Sequence, residues 1–334
     1  MGKRQGQTLI LSDPPYVMAA AAVVGKKEGE GPLAADFDVV EQDSYCGQKT
    51  WEKAESTLQK RTADIALTKA GVAPGDVDIV LAGDLLNQCT ASCFGLVELG
   101  RPMLGLFGAC STAAEGLAAA SLLVDGGFAQ TALTITSSHF CTAERQFRLP
   151  LSYGGQRPPT AQWTVTGAAA FVLGKKHVVQ GAPVRIKACA VGVPVDMGIA
   201  DVNNMGAAMA PAAIDTLSGF FTDTGTNKDH FDLIVTGDLG AVGHAIVAEK
   251  MGLGENYNDC GLMVFDLKQQ DVHAGGSGCG CSAVVTAGHI LRRMRAGELK
   301  SVLLVGTGAL MSTTSFQQGE NIIGIAHLVW LSAE

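Results

Sequence analysis

The sequence predicts an α/β fold built on a duplicated βαβ unit, with two copies related by a pseudo-twofold axis. Three observations lead there. First, Asp78-Ile-Val-Leu-Ala-Gly-Asp84 matches Asp232-Leu-Ile-Val-Thr-Gly-Asp238, with both aspartates and the glycine at one offset. Second, Cys110-Ser111 matches Cys281-Ser282, and the same offset carries Gly126 onto Gly297 and Leu133 onto Leu304. Third, short apolar runs alternate with amphipathic or apolar helical stretches through both halves, the pattern of parallel βαβ units. Two matches in the same order point to internal duplication. The halves are taken as residues 1–178, carrying the Cys110 turn, and 179–334, carrying the Gly275–Cys281 turn.

The elements follow in order. Residues 8–24 read as one or two strands broken at Pro14-Pro15, and 25–50 as loop. Trp51–Ala70 is an amphipathic helix with Leu58, Ile65, Ala66 and Ala70 on one face, ended by Gly71. A strand at 78–84 leads into a loop and short helix over 87–99. Leu104–Leu117 reads as strand, Gly-Ala-Cys turn and helix. Ser111 and Thr112 suit the N-cap, and Glu115 is spaced for a capping box. That helix is apolar nearly all round and should be buried. Thr131–Ser138 is a strand, Cys141–Gln162 an irregular polar segment, and Trp163–Leu173 a strand. In the second half the pattern restarts with strands at 184–191, 232–238, 301–308 and 324–332. Helices at 206–221, 241–251 and 282–296 and a glycine-rich turn at 273–281 lie between them.

Composition narrows the function. Of the 334 residues 17 % are charged, below the roughly 25 % of ordinary soluble chains. Abundant Gly and Ala with low charge suit a large homodimer interface. The net charge of −8 argues against nucleic acid as a partner. No run approaches the ~20 apolar residues of a membrane span, and the first residues carry no apolar signal region. Nine cysteines, odd in number and scattered through apolar stretches, suit a reducing compartment.

The candidate site gathers where the two helix N-termini of a duplicated core face each other. Cys110 sits at one, where the helix dipole favours thiolate; the other reading is a small buried cysteine filling a crowded core. Gly275-Gly-Ser-Gly-Cys-Gly-Cys281 at the other resembles an anion cradle, or else it serves close strand–helix approach; it is neither a Walker nor a dinucleotide motif. The cysteine pairs 89/93 and 279/281 lack zinc spacing, so no metal site is expected. His139, His244 and His273 are candidate bases. Arg145, Arg148 and Arg157 are either solvated or gathered over a pocket for a carboxylate.

Gly108-Ala-Cys-Ser-Thr-Ala, the duplicated core and the glycine-rich second turn resemble the thiolase superfamily, nearest its ketoacyl-ACP synthase III and hydroxymethylglutaryl-CoA synthase branch. The resemblance covers almost the whole chain and implies a five-layer α-β-α-β-α fold. In that family a cysteine at this turn is acylated, and a His and an Asn or His support condensation. Here the matching motifs place Gly237 on the histidine and Ser277 on the asparagine, so only Cys110 survives. Asp84 falls near the glutamate of the hydroxymethylglutaryl branch. A nucleophile without its partners loses most of its rate.

One branch of the superfamily, a family of sporulation proteins from endospore-forming bacteria, is similar over Tyr16-Val-Met, Asp43-Ser-Tyr-Cys-Gly, the 148–160 segment and Gly306–Ser312. That resemblance implies a non-catalytic protein without cofactor, binding dipicolinic acid, free or as its calcium chelate. It implies work with membrane proteins of the same operon, at the spore inner membrane, in loading dipicolinate during sporulation and releasing it in germination. The ligand residues expected are Cys110, Ser111, Asp84, His139, Arg145, Arg148, Arg157, His244 and Ser277. The alternative is a cysteine-dependent acyltransferase using Cys110, with His244 or His139 as base.

Overall fold

The fold was read from a computed structural model, which describes residues 2–147 and 157–333. Ten strands follow one path through the main sheet: Tyr257–Asp259, Leu233–Thr236, Ser301–Leu310, Ile323–Ala333, Val184–Ala190, Tyr16–Gly25, Gly167–Gly174, Thr131–Ser138, Ile79–Gly83 and Met103–Leu106. Read outward from the centre, each set of five has the same sense: two antiparallel pairings, then two parallel ones. The halves join where Tyr16 meets Arg185.

The aspartates that open the repeated strands do the same job in each copy. Asp78 Oδ2 accepts the N–H groups of Gln130 and Thr131, and Asp232 Oδ2 those of Lys300 and Ser301. Each carboxylate thus holds the start of the neighbouring parallel strand.

Helices Thr112–Asp125 and Cys279–Val284 pack between the two halves of the sheet, with the second continuing through one π turn to Arg295. Both are apolar on nearly all sides, as a helix covered on both faces must be. Trp51–Ala70 covers the outer face of the first half, while Met205–Thr224 and Gly240–Met251 cover the second. The layers are therefore α-β-α-β-α.

Three expectations need correction. The segment from Cys141 is not irregular throughout, because Phe140–Phe147 is a helix. Its Ala143, Glu144 and Phe147 recur at helical spacing on one inward side, a period masked by the polar residues between them. The 25–50 stretch holds a strand, Val39–Glu41, pairing parallel with Val23–Gly25. Strand Tyr257–Asp259 was not anticipated; three residues are too few to show a period of two.

Candidate functional site: a cysteine pocket between two helix ends

Cys110 lies in a 3₁₀ turn, Ala109–Ser111, between the Met103–Leu106 strand and the buried helix. Ala109 has φ +48°, uncommon for a residue with a side chain. The turn is held by local hydroxyls: Ser111 Oγ donates to Gly108 O at 2.6 Å, Thr112 Oγ1 donates to Ala109 O at 2.6 Å, and Thr112 Oγ1 accepts from Gly108 N at 3.1 Å. The expected capping box does not form, since Ser111 is spent on Gly108. Glu115 instead lies half-buried, with its pKa raised by desolvation. Behind the turn, the Ser301–Leu310 strand comes unusually close. A Cβ on Gly308 would stand 2.4 Å from Gly108 O, so only glycine fits.

The second wall comes from the other half. Gly276–Ser277 pairs with Trp163–Thr164, and the next helix begins at Cys279. That start is three residues earlier than the sequence indicates, and Cys279 rather than Cys281 takes the place beside the Cys110 turn, its Sγ donating to Ala109 O at 2.9 Å. The glycine-rich loop does bind an anion, and that anion is the chain's own. Gly278 N donates to Asp238 Oδ2 at 3.0 Å, while Gly280 N donates to Ser138 Oγ at 2.9 Å. Close approach also governs here, because a Cβ on Gly280 would meet Gly167 O at 2.6 Å.

Asp238 is the residue that sequence reading missed. Its carboxyl is 1 % exposed, accepts Thr307 Oγ1 at 2.8 Å and takes a hydrogen bond from the Cys110 thiol. Burial pushes its pKa up to about 6. The same burial, with Asp238 and Cys279 beside it, pushes the Cys110 thiol well above its ordinary value. The expected thiolate is therefore not formed. The helix dipole, worth about 0.3–1 kcal/mol, is outweighed by desolvation and by a neighbouring carboxylate. Gly237 cannot carry a side chain, since a Cβ there would lie 2.9 Å from Thr307 N. From this turn only residue 238 faces Cys110. Its repeat position, as the counterpart of Asp84, was the available signal.

The pocket beside Cys110 has a volume of about 40 Å³, room for about three waters. Cys110, Ser277 and Glu144 line it, and Phe107, Phe147, Met205 and Met311 form much of its apolar wall. Of the expected ligand residues, Cys110 and Ser277 meet here. Asp84 stands behind, 0 % exposed, accepting Ser92 N and Oγ and Leu86 N. Ser111 faces its own turn.

The remaining candidates lie elsewhere or are already paired. Arg157 pairs with Glu144 at 2.6 Å and donates to Gln162 O. Arg145 pairs with Glu52 beside Trp51, because its helix turns it away from the inward side. His139 is buried against Ser44 O, and His244 stacks on Tyr257 at 4.4 Å. Burial lowers the pKa of both imidazoles, and neither lines the cysteine pocket. His273 lies beside Asp271 at 3.3 Å. Arg148 lies outside the described residues. Among the described lining residues no imidazole reaches Cys110.

A cysteine elbow between two buried helices of a duplicated five-layer core defines the thiolase-like class. Solved structures agree on the fold. A tetronic acid condensing enzyme, AbyA1, superposes with TM-score 0.64 at 17 % identity, over 95 % of this chain and 99 % of that one. The 3-oxoacyl-[acyl-carrier-protein] synthase III of Aquifex aeolicus superposes with TM-score 0.59 at 12 % identity, over 96 % and 99 %. Within that class the chain belongs to the stage V sporulation protein AD family, whose model matches residues 5–332. The stage V sporulation protein AD of Bacillus subtilis is 47 % identical over 326 residues, covering 96 % of this chain and 95 % of the relative.

Proposed function

We propose that this thiolase-like sporulation protein binds dipicolinic acid, free or as its calcium chelate, in the Cys110 pocket and performs no acyl transfer. One observation carries the non-catalytic half: burial beside the Asp238 carboxyl holds the Cys110 thiol protonated, and no imidazole among the described lining residues is there to activate it. A carboxylate beside the sulfur opposes thiolate formation and the negative charge of a tetrahedral intermediate. The pocket's apolar walls suit a flat ring, and Ser277 supplies a polar group on its lining. The cavity is smaller than dipicolinate, so entry turns Phe147 and Met311 aside at the mouth; an unbranched methionine does this readily.

In this reading the protein sits peripherally at the spore inner membrane with membrane proteins of its operon, loading dipicolinate in sporulation and releasing it in germination. No helix among the described residues is long and apolar enough to cross a membrane. The protein is a homodimer. Among the described residues the Met103–Leu106 strand is a sheet edge with one side unpaired, and Leu104, Phe107, Phe94 and Val97 around it are exposed.

Calorimetric titration with dipicolinate and with its calcium chelate tests the binding, and Cys110→Trp should abolish the component that fills the Cys110 pocket. Absence of heat at millimolar ligand with folded protein overturns the reading. Incubation with acyl-CoA followed by mass spectrometry tests the other half, and an adduct on Cys110 restores the acyltransferase.

A further inference from the structure

A second cavity lies on the far side of the Phe140–Phe147 helix. Its volume is about 460 Å³, more than ten times that of the Cys110 pocket. Its walls are the turn after the Tyr16–Gly25 strand, the chain at 42–44, and the start of the helix. None of the residues lining it lines the Cys110 pocket.

The lining has a definite chemistry. Trp163 stacks on Phe140 with centroids 3.9 Å apart and planes at 12°. The other side of the indole is covered by Lys27, whose Nζ lies 4.1 Å from the ring centroid. Among the described residues Lys27 Nζ has no carboxylate or carbonyl partner. Its ammonium rests on a π face alone, worth about 0.5–1 kcal/mol where exposed. Lys26 stands beside it, 3.9 Å from Glu30 and largely solvated.

The polar groups of the floor are committed to the protein or buried without a partner. Cys141 N donates to His139 Nδ1 at 3.2 Å, so His139 Nε2–H donates to Ser44 O at 2.8 Å and the ring is neutral. Glu28, 1 % exposed, accepts Thr166 N with one carboxylate oxygen, and its other oxygen has no partner.

We propose that this cavity is a binding site for a small planar carboxylate, whose ring stacks on Trp163 in place of the Lys27 ammonium while Lys27 pairs with the carboxylate. The exchange is favourable on both counts. A ring on indole gains more contact area than an alkylammonium does, and a charge-assisted N–H···O bond replaces a cation–π contact. A flat anion fits better than a tetrahedral one, which would gain the charge pairing but not the stacking. The site is independent of the Cys110 pocket.

The test uses the indole itself in the full chain. Dipicolinate, benzoate and inorganic phosphate are titrated against tryptophan fluorescence, with calorimetry in parallel. Both planar acids should quench saturably. Trp163→Phe should remove the quench. Lys27→Gln, at a partly exposed position, should weaken affinity about tenfold or more. Cys110→Phe should leave quench and affinity unchanged, even where it abolishes binding in the cysteine pocket. Overturning results are no quench by either planar acid, phosphate binding as tightly as they do, Lys27→Gln within twofold of wild type, or loss of the quench in Cys110→Phe.

Discussion

Replacing Asp238 by Asn removes the charge that most directly holds the Cys110 thiol protonated, and its effect on stability can be worked from the structure. Folding raises the Asp238 pKa from 3.8 to about 6, chiefly by desolvation. The folded state therefore binds this proton more tightly than the unfolded chain. The favourable contribution is complete below about pH 4 and is lost as pH rises through about 6. A shift of about two units corresponds to about 3 kcal/mol. Asn keeps the shape and can accept from Gly278 N, while the Thr307 hydroxyl can turn to accept from its amide. Denaturant unfolding of wild type and Asp238→Asn at pH 4 and pH 7.5 gives the difference directly. The variant should gain on wild type by about 3 kcal/mol between the two. Buried Glu28 and Glu55, raised to about 7 and 8, also titrate over this range but are common to both proteins and cancel; Asp259, raised to about 7 in part by the Asp238 charge, loses that contribution in the variant and adds to the gain in the same direction. A difference unchanged between the two pH values would refute a buried, raised Asp238.

The other expectations follow from the same geometry. Alkylation with iodoacetamide at pH 8 should label exposed Cys93 first and spare Cys110, read by peptide mass mapping; prompt labelling of Cys110 would contradict the protonated, Asp238-bonded thiol. Gly308→Ala should lose about 1–3 kcal/mol because its Cβ would meet Gly108 O at 2.4 Å, whereas Gly75→Ala, in open space, should leave the unfolding midpoint in place. Leu104→Glu, on the free sheet edge, should convert dimer to monomer in light scattering, and an unaltered mass would remove the dimer from that edge. Free dipicolinate should bind more tightly as pH falls through about 6 and Asp238 takes up its proton; a flat profile would place the carboxylates away from Asp238.

The scaffold was legible because its strands are short apolar runs bounded by residues with fixed duties. Asp78 and Asp232 recur because each secures the neighbouring strand's first N–H groups. The buried central helices showed as runs without a polar side. The site was harder to read because its chemistry depends on pairing across long separations. Arg157 looks like a free cation until Glu144, thirteen positions earlier and one helix away, is found against it. Arg145 and His139 sit on the same segment but point out of the pocket, since the helix turns Arg145 more than a quarter of a turn from Glu144 and His139 precedes the helix. The family motif directed attention to Gly237, and one residue of register separates it from the carboxyl that matters.

That register decides which form of the ligand the pocket favours under the proposed function. A doubly anionic ring entering beside Cys110 brings its charge toward the Asp238 carboxylate behind the thiol, and at a site this enclosed the repulsion is screened little. Two routes reduce it. Protonation of Asp238, with its pKa near 6, removes one charge from the protein; chelation by calcium removes two from the ligand. Above pH 7 only the second remains effective, so the calcium chelate should be the better ligand there and the free acid should approach it only in mildly acid solution. A pocket evolved for acyl transfer would gain nothing from a carboxylate against its nucleophile. In a pocket that must take up and release a metal-bound acid, the same carboxylate ties affinity to the ionic form of the ligand, because removal of calcium at neutral pH restores the repulsion and favours release.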